Sequence, residues 1–428
     1  MADSGRRKDP VKGVEYNSGI NERIGGMGLF ISVVRDDSLC RDCGFCETVN
    51  KCLNDQCVGC LSCYLACPYE ARRIVKDEGH RRTISIIVDG VHYSVPERIT
   101  IKEALRLCGY EIGIYPDESR VVAPCRTGGC WACMVIADGE AVRACVTGVR
   151  GNIKISTLIS QTTPLRIIHG PEPHTVGGKA TPWFEGRGAR YIEVAIWAAG
   201  CNLRCRSCQN YSVTYDNSSK AISPAEAARE VTYYRRIYGV NGMAISGGEP
   251  TLNKRWLIEY FKELRRLNSD KDARLHLDSN GTLLTPSYID DLVEAGANNI
   301  GVEPKGIRLE TFMNITGITD RSLAERYLKT SWEAAKYLVD RYRDRVYIGI
   351  GIPYNSAFMR FEELAEIGDK IASIDPEVQV CVLDYFPTFR RRELRRPSYK
   401  EMLKVKEILN GVGLKCVIIQ TVYGHVGP

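Results

Sequence analysis

The cysteines of this chain are numerous and tightly clustered, and they constrain its fold more than any other feature. Of the 18 cysteines in 428 residues, eight lie between Cys40 and Cys67, four between Cys125 and Cys145, and three between Cys201 and Cys208. Disulfide frameworks are typical of small secreted proteins, whereas closely spaced cysteines in a larger chain without a secretory signal are typical of metal ligation. The chain is therefore predicted to fold around several metal centres under reducing conditions.

The composition indicates where such a protein works and what it binds. No run approaches the ~18 apolar residues of a membrane span, and residues 1–28 have the character of a flexible, basic leader. The formal charge is +6, but ligated thiolate clusters would shift it by about −7, because the charge of a metal centre must be counted. We therefore predict a cytoplasmic protein whose partners include no nucleic acid and no membrane.

Residues 29–80 carry the first cysteine group between two predicted strands, LFISVVRDD and RRIVKDE. The second half of the group has the C-x2-C-x2-C-x3-C-P spacing of 4Fe-4S proteins, in which the fourth cysteine ligates the neighbouring cluster. By that rule, one cluster is held by Cys40, Cys43, Cys46 and Cys67, and the other by Cys52, Cys57, Cys60 and Cys63. Cys52 departs from the usual spacing, so the segment resembles a compressed bacterial two-cluster ferredoxin. Two structural zinc sites are the alternative.

Residues 81–160 have the pattern of a small β-grasp domain. Hairpin turns are predicted at Asp89-Gly90 and Asp138-Gly139, with a helix over TIKEALRLCGYE. The second cysteine group lies within this pattern and comprises Cys125, Cys130, Cys133 and Cys145. Its spacing resembles the 2Fe-2S domain in the iron-sulfur subunits of succinate dehydrogenase and fumarate reductase. A cluster-free β-grasp domain with incidental thiols is the alternative.

Residues 161–190 are rich in glycine and proline and are predicted to be a linker, with His169 and His174 in a solvated loop. From residue 191 to 428, strands and amphipathic helices alternate. Six such units predict an α/β partial (β/α)6 barrel whose active site lies at the C-terminal ends of its strands. The third cysteine group directly follows the first of these strands, so it lies at the expected end.

The third group, GCNLRCRSCQN, has three cysteines, whereas the second group has four. Three thiolates on a four-iron cluster leave one iron open, and an open coordination position allows a metal to bind a substrate. With SGGEP after the second barrel strand, Cys201, Cys205 and Cys208 resemble the radical S-adenosylmethionine (SAM) superfamily over about residues 165–428. The resemblance implies that the open iron binds the methionine part of SAM, and that SAM is cleaved to a 5'-deoxyadenosyl radical that abstracts hydrogen.

Further motifs, including LDSNGTL and the terminal GLKCVIIQTVYGHVGP, resemble enzymes related to the pyruvate formate-lyase-activating enzyme. That resemblance implies that the methionine amino group is lined by Ser246, Gly247, Gly248 and Glu249. It implies contacts to the methionine carboxylate, the ribose and a cation by Asp278, Ser279, Asn280, Glu303 and Lys305. A helix-capping turn is the alternative for the residues from Asp278, and a surface charge is the alternative for Lys305. Ser207 stands where the relatives carry an aromatic residue, and Tyr211 is a candidate substitute.

These inferences lead to one main hypothesis and two alternatives. The main hypothesis is a radical SAM oxidoreductase with three 4Fe-4S clusters, one 2Fe-2S cluster and SAM. Its N-terminal clusters would relay electrons from a donor such as ferredoxin or flavodoxin. The first alternative is a glycyl-radical activase, whose substrate is a partner enzyme. The second is an electron-transfer subunit of a larger redox complex.

Overall fold

The structure is a computed structural model that describes residues 30–50, 52, 54–175, 177–186 and 190–428. The predicted leader lies outside the described residues. The chain forms two compact units. The first ends at Thr162 and also includes the short segment Tyr215–Ser219, and the second comprises Thr163–Thr214 and Lys220–Pro428.

The first unit begins with the cysteine-rich segment. Strands β1 (Phe30–Arg35) and β2 (Arg72–Asp77) pair antiparallel, from Phe30 opposite Asp77 to Arg35 opposite Arg72. Between them lie two short helices, α1 (Phe45–Thr48) and α2 (Ser62–Ala66). The two strands therefore bring the two ends of this cysteine-rich segment together.

The rest of the first unit is a five-stranded sheet with one helix, in the order β4-β3-β9-β7-β8. Its strands are β3 (Thr83–Val88), β4 (Val91–Pro96), β7 (Met134–Ala137), β8 (Glu140–Arg143) and β9 (Lys154–Ser156). A parallel pair, β5 (Ile112–Gly113) and β6 (Val121–Val122), accompanies it. Helix α3 (Ile101–Leu107) buries Ile101, Ala104 and Leu105 in the core of this sheet, and Thr100 caps its N-terminus. Both predicted hairpin turns are present.

The second unit is built on a ten-stranded sheet whose order is β12-β10-β11-β13-β14-β15-β16-β17-β18-β19. In the described residues, its parallel strands are β11 (Glu193–Ala198), β13 (Gly242–Gly247), β14 (Arg274–Ser279), β15 (Asn299–Val302), β16 (Tyr347–Tyr354), β17 (Gln379–Asp384) and β18 (Val417–Thr421). The antiparallel edges are β10 (Arg166–His174), β12 (Ala221–Ile222) and β19 (Gly424–Val426). The α/β core of parallel strands is thus present.

Helices connect the parallel strands and cover the sheet. They are α4 (Tyr211–Thr214), α5 (Pro224–Tyr238), α6 (Lys254–Leu267), α7 (Pro286–Glu294), α8 (Leu309–Thr316), α9 (Arg321–Tyr342), α10 (Phe361–Ile374) and α11 (Tyr399–Gly411). Helix α6 shows why they pack: its buried residues Trp256, Leu257, Tyr260, Phe261 and Leu264 lie on one helical face. Helix α5 begins at a capping box between Ser223 and Glu226, and Gly239 is its C-cap residue.

One sequence prediction was wrong. The segment 161–190, predicted to be a linker, contains strand β10, which pairs with β11 and with β12. His169 and His174 lie on this strand rather than in a solvated loop. Two of the residues that favoured a loop, Gly170 and Pro171, are accommodated by a register shift between His169 and Glu172.

No described helix combines the length and the apolar character needed to cross a membrane.

Candidate active site

Residues at the ends of five parallel strands meet in one cavity of the second unit. The three cysteines Cys201, Cys205 and Cys208 line it, together with all nine residues that the sequence assigns to SAM: Ser246, Gly247, Gly248, Glu249, Asp278, Ser279, Asn280, Glu303 and Lys305. These residues lie at or just after the C-terminal ends of β11, β13, β14 and β15. In a parallel sheet those ends share one edge, which is why residues far apart in sequence converge here.

The cysteine loop that follows β11 is held by hydrogen bonds to its main-chain atoms. Gly200 N donates to Thr214 O at 3.0 Å, and Arg204 N donates to Thr316 O at 2.7 Å. The Arg204 guanidinium donates to the carbonyl of Cys201 at 2.7 Å, and Leu203 N is directed at Cys201 Sγ at 3.4 Å. The loop is thus a fixed turn that directs its thiols into the cavity.

Burial makes these thiols weak acids when no metal is bound. It raises the pKa of Cys201 and Cys205 to about 12 and that of Cys208 to about 11. The Lys305 ammonium acts in the opposite direction on the pKa of Cys205. Metal binding would displace these protons, because a thiol ligates iron as the thiolate.

The SGGEP turn packs directly against the cysteine loop. Gly248 N donates to Ala198 O and Glu249 N donates to Gly200 O, both at 2.8 Å. A Cβ on Gly248 would overlap Gly200 O and lie 2.8 Å from the carbonyl carbon of Gly200. Glycine is therefore required here by the neighbouring main chain, whatever ligand the turn also contacts.

Glu249 links the ends of two strands. One carboxylate oxygen accepts from Thr251 N at 3.1 Å, Thr251 Oγ1 at 2.7 Å and Ser279 Oγ at 2.8 Å, and the other accepts from Asn280 N at 2.7 Å. The side chain is buried. The two bonds from Thr251 fix the Glu249 carboxylate within its own loop, and those from Ser279 and Asn280 hold the loop after β13 against the end of β14, so both segments face the cavity in a defined arrangement.

Residues 278–281 form a turn of the kind that the alternative interpretation predicts. Gly281 N donates to Ser279 Oγ at 2.9 Å, and Thr282 N donates to Asn280 Oδ1 at 3.0 Å. Gly281 has φ +74°, which favours glycine. The same residues line the cavity, so the turn and a ligand-binding role are compatible.

The alternative of Lys305 as a surface charge was wrong, because Lys305 is buried. Its ammonium forms an ion pair with Glu303 and donates to Tyr385 Oη at 3.0 Å. Tyr385 Oη in turn donates to Glu303 Oε1 at 3.3 Å. Burial opposes ionisation of Glu303, but Lys305 and Lys179 outweigh it and lower the pKa of Glu303. The cavity thus has a charged wall whose members are paired.

Sequence reasoning missed several cavity residues: Lys179, Leu203, Gln209, Asn210, Thr214, Leu383 and Tyr385. Leu383 and Tyr385 lie at the C-terminal end of β17, so the strand-end rule could have found them. Lys179 had no such signal, because it lies in the segment that was predicted to be a linker. Tyr211 stacks on Phe389 at 5.0 Å and is not among the described residues that line the cavity.

Two buried polar atoms in this region lack a partner among the described residues. They are Ser207 Oγ and Gln209 Nε2, and Gln209 lines the cavity. A buried amide without a hydrogen-bond partner is costly. A ligand with an acceptor atom would satisfy Gln209, so the cavity fits a polar ligand such as SAM.

In the first unit, the second cysteine group is buried. Cys125, Cys130, Cys133 and Cys145 are each at most 2% exposed, and Cys125 Sγ lies 3.1 Å from Cys130 Sγ. Main-chain N–H groups are directed at sulfur, from Thr127 to Cys125 and from Cys145 to Cys133, both at 3.4 Å. Thiols and N–H groups directed at sulfur are what a 2Fe-2S cluster requires.

The first cysteine group is more exposed, with Cys43 and Cys52 at the surface. The Arg72 guanidinium donates to Cys46 Sγ at 3.1 Å, and Val33 N is directed at Cys57 Sγ at 3.4 Å. Burial, with the neighbouring Cys52 and Cys57, raises the pKa of Cys60 to about 11.

In the part of the chain that the structure describes, no three or more His, Cys, Asp or Glu side chains are arranged to hold a single metal ion. The fit of the three cysteine groups to clusters therefore rests on the donor set. Clustered thiols with N–H groups directed at sulfur are the soft ligands that iron-sulfur clusters take.

Comparison with known proteins gives partial matches. A probable GTP 3',8-cyclase of Methanococcus aeolicus is 33% identical over 27% of this chain and 38% of its own length. A pyruvate formate-lyase-activating enzyme of Staphylococcus epidermidis is 34% identical over 22% of this chain and 36% of its own length. The chain thus spans less than half the length of either relative. The solved structure of Streptococcus suis SuiB bound to S-adenosylmethionine covers 49% of this chain and 44% of its own, at 16% identity and a TM-score of 0.38.

Two family models match separate parts of the chain. The model for a 2Fe-2S iron-sulfur cluster binding domain matches residues 81–159, which contain the buried thiols of the first unit. The model for the radical SAM superfamily matches residues 196–367, which contain the cysteine loop and the SGGEP turn. The chain therefore contains a 2Fe-2S iron-sulfur cluster binding domain and a radical SAM superfamily domain.

Proposed function

We propose that this chain is a radical SAM oxidoreductase that cleaves SAM in the cavity of its second unit. The observation that supports this most is the convergence on one cavity of three thiols and the nine residues that the family resemblance assigns to SAM. The three thiols leave one iron of a 4Fe-4S cluster open to a ligand. When bound and reduced, such a cluster supplies the electron that cleaves SAM to a 5'-deoxyadenosyl radical for hydrogen abstraction.

Different residues of the chain bind the cluster and the different parts of SAM. Cys201, Cys205 and Cys208 hold the cluster, and the SGGEP turn, fixed against the cysteine loop, presents its main chain to the methionine amino group. Asp278, Ser279, Asn280, Glu303 and Lys305 contact the methionine carboxylate and the ribose. The Gln209 amide, which lacks a partner among the described residues, supplies a hydrogen-bond donor to the bound molecule.

We further propose that the first unit delivers electrons. Its thiols fit one 2Fe-2S cluster and two further 4Fe-4S clusters in a ferredoxin-like segment. With the SAM-binding cluster this gives three 4Fe-4S clusters in all. The donor would be a ferredoxin or flavodoxin. Hydrogen bonds to the cysteine sulfurs, such as that from Arg72, would tune the potentials of these clusters.

The relatives are named for different reactions. One is named a GTP 3',8-cyclase and another a pyruvate formate-lyase-activating enzyme. The likeness therefore does not single out the activase reaction, and the proposal concerns the SAM cleavage step in this cavity. A chain that serves as an electron-transfer subunit alone would not cleave SAM.

The experiment is SAM cleavage by anaerobically reconstituted protein with dithionite. The intact chain should bind about 14 irons and form 5'-deoxyadenosine, and Cys205→Ala should form none, because two thiolates do not hold the cluster in place. Cys416→Ala is the matched control, since Cys416 lies outside the cavity. Normal cleavage by Cys205→Ala would refute the site. No cleavage by the intact chain would favour the electron-transfer subunit.

A further inference from the structure

Lys179 is a charged side chain at the centre of the second unit. It follows strand β10, lies outside the residues that match the radical SAM family model, and lines the cavity. Its side chain is 15% exposed, and its ammonium lies 3.2 Å from Glu303 Oε2 and 3.6 Å from Asp278 Oδ2. The main-chain N–H of Lys179 also donates to Asp278 Oδ1 at 3.1 Å. Lys179 therefore joins two carboxylates that come from neighbouring strands.

The sheet is shaped to admit this lysine. A Cβ on Gly301 would lie 2.8 Å from Lys179 Cβ, and one on Gly351 would lie 2.9 Å from Lys179 Cδ. A Cβ on Gly349 would overlap the carbonyl oxygen of Lys179, which accepts a hydrogen bond from Gln379 Nε2 at 2.8 Å. Glycine weakens a strand interior and marks the close approach of another chain segment. Three such glycines on two adjacent strands indicate that the position of Lys179 is specified.

Lys179 completes a buried series of alternating charges. His276 lies 3.3 Å from Glu193 and 3.1 Å from Asp278, and Lys179 then links Asp278 to Glu303. The six groups in order are Glu193, His276, Asp278, Lys179, Glu303 and Lys305. With both histidine nitrogens protonated, three positive charges balance three negative charges. Loss of Lys179 would leave one carboxylate uncompensated, which is costly for a buried charge.

The charges of Lys179 and its neighbours account for the ionisation of the two carboxylates. Burial opposes ionisation, but Lys179 and His276 outweigh it and hold the pKa of Asp278 well below its usual range. Lys305 and Lys179 likewise outweigh burial at Glu303 and lower the pKa of that carboxyl. The titratable and charged groups that face Lys179 are Asp278, Glu303, Lys305 and Cys381.

We propose that Lys179 is a positioning residue for SAM, which keeps Asp278 and Glu303 charged and oriented toward the bound molecule. The inference rests on the proposed assignment of these two carboxylates to SAM. A rival explanation is that Lys179 is a filler, whose stem occupies the space left by the strand glycines. The two explanations differ because a filler needs only the stem, whereas a positioning residue needs the charge.

The test uses Lys179→Met, which keeps an unbranched stem without the charge, and Lys179→Arg, which keeps the charge. Binding of radiolabelled SAM to reconstituted, unreduced holoprotein is measured by equilibrium dialysis from pH 5.5 to 8.5. Lys336→Met is the matched control, since the Lys336 ammonium is exposed and pairs with Asp340 at 2.6 Å. Iron content and tryptophan fluorescence establish that each variant is folded and loaded.

We expect Lys179→Met to bind SAM about tenfold or more weakly at pH 6, because a carboxylate that has lost its charge no longer accepts a charge-assisted hydrogen bond from SAM. Without the ammonium, the pKa of Asp278 and Glu303 rises, so the carboxylates are protonated at low pH and regain their charge as pH rises. The affinity of Lys179→Met should therefore increase with pH more steeply than that of the intact protein, and Lys179→Arg should restore most of the binding.

Three outcomes would overturn the inference. Equal affinity of Lys179→Met and the intact protein at every pH would show that the charge is not needed. Equal, pH-independent loss in Lys179→Met and Lys179→Arg would show that only the fit of the stem matters. No SAM binding by the intact protein would overturn the proposed function itself, and this inference with it.

Discussion

Replacement of Gly349 by alanine tests whether the sheet is built around the segment at Lys179. Gly349 lies in the interior of β16, and an added Cβ would overlap Lys179 O and lie 2.8 Å from Ala180 N. All of these neighbours are main-chain atoms, so no side-chain rotation relieves the overlap. The segment would have to retreat by more than about 1 Å to regain ordinary van der Waals contact.

The size of the expected stability loss follows from the hydrogen bonds that this retreat would break. Gln379 Nε2 donates to Lys179 O at 2.8 Å, and Asn299 Nδ2 donates to Ala180 O at 2.8 Å. Both amides are buried, and leaving a buried donor unsatisfied costs about 1–3 kcal/mol. Overpacking adds about 1–3 kcal/mol. We therefore expect Gly349→Ala to lower the free energy of unfolding of the second unit by about 2–6 kcal/mol.

The assay is urea unfolding of the full chain, followed by tryptophan fluorescence. Four of the five tryptophans, Trp183, Trp197, Trp256 and Trp332, belong to the second unit, so the signal reports mainly on that unit. Gly411→Ala is the control, because an added Cβ there meets nothing within 4 Å and alanine favours a helix. It should be neutral or stabilise by up to about 1 kcal/mol. A loss below about 1 kcal/mol in Gly349→Ala would refute the packing argument.

Three further predictions concern electron transfer, a cluster potential and pH. Cys130→Ser should slow turnover with a protein reductant such as ferredoxin and largely spare turnover with dithionite, which reaches the SAM-binding cluster directly; equal loss with both reductants would indicate a structural role instead. Arg72→Met should lower the reduction potential of one N-terminal cluster in an EPR-monitored titration, since its hydrogen bond to Cys46 stabilises the more negative, reduced state; an unchanged potential would contradict this. Burial opposes protonation of His276, but Asp278 and Glu193 outweigh it and raise the pKa of His276 from 6.5 to about 10. The contribution of protonated His276 to stability should be complete below pH 6.5 and should fall as pH rises toward 10. The urea midpoint of His276→Gln should therefore depend less on pH between 6.5 and 10 than that of the intact protein.

The sequence by itself determined the chemistry-bearing residues and their local structure. Cysteine spacing and strand-helix alternation are properties of short segments, and both can be recognised in the sequence without knowledge of the fold. The rule that parallel strands share a C-terminal edge placed the cysteine loop at the expected end of the barrel, and the family resemblance added residues of SGGEP and LDSNGTL. In the structure, Ser246 to Glu249 and Asp278 to Asn280 line one cavity with the three cysteines.

Only the tertiary structure decided how the segment before the radical SAM domain is used. Its glycines and prolines indicated a linker, yet it supplies strand β10 and the buried Lys179. The partners of Lys179 lie about 100 to 200 residues further along the chain. No local period or spacing encodes such contacts.

Contacts between distant segments also account for the glycines of β15 and β16. In the sequence, Gly301, Gly349 and Gly351 interrupt otherwise β-branched strands and carry no motif. Their role follows from the chain that lies against them, because the missing side chains make room for Lys179. Local sequence determined which residues stand at strand ends, and the packing of distant segments decided which of them face one another.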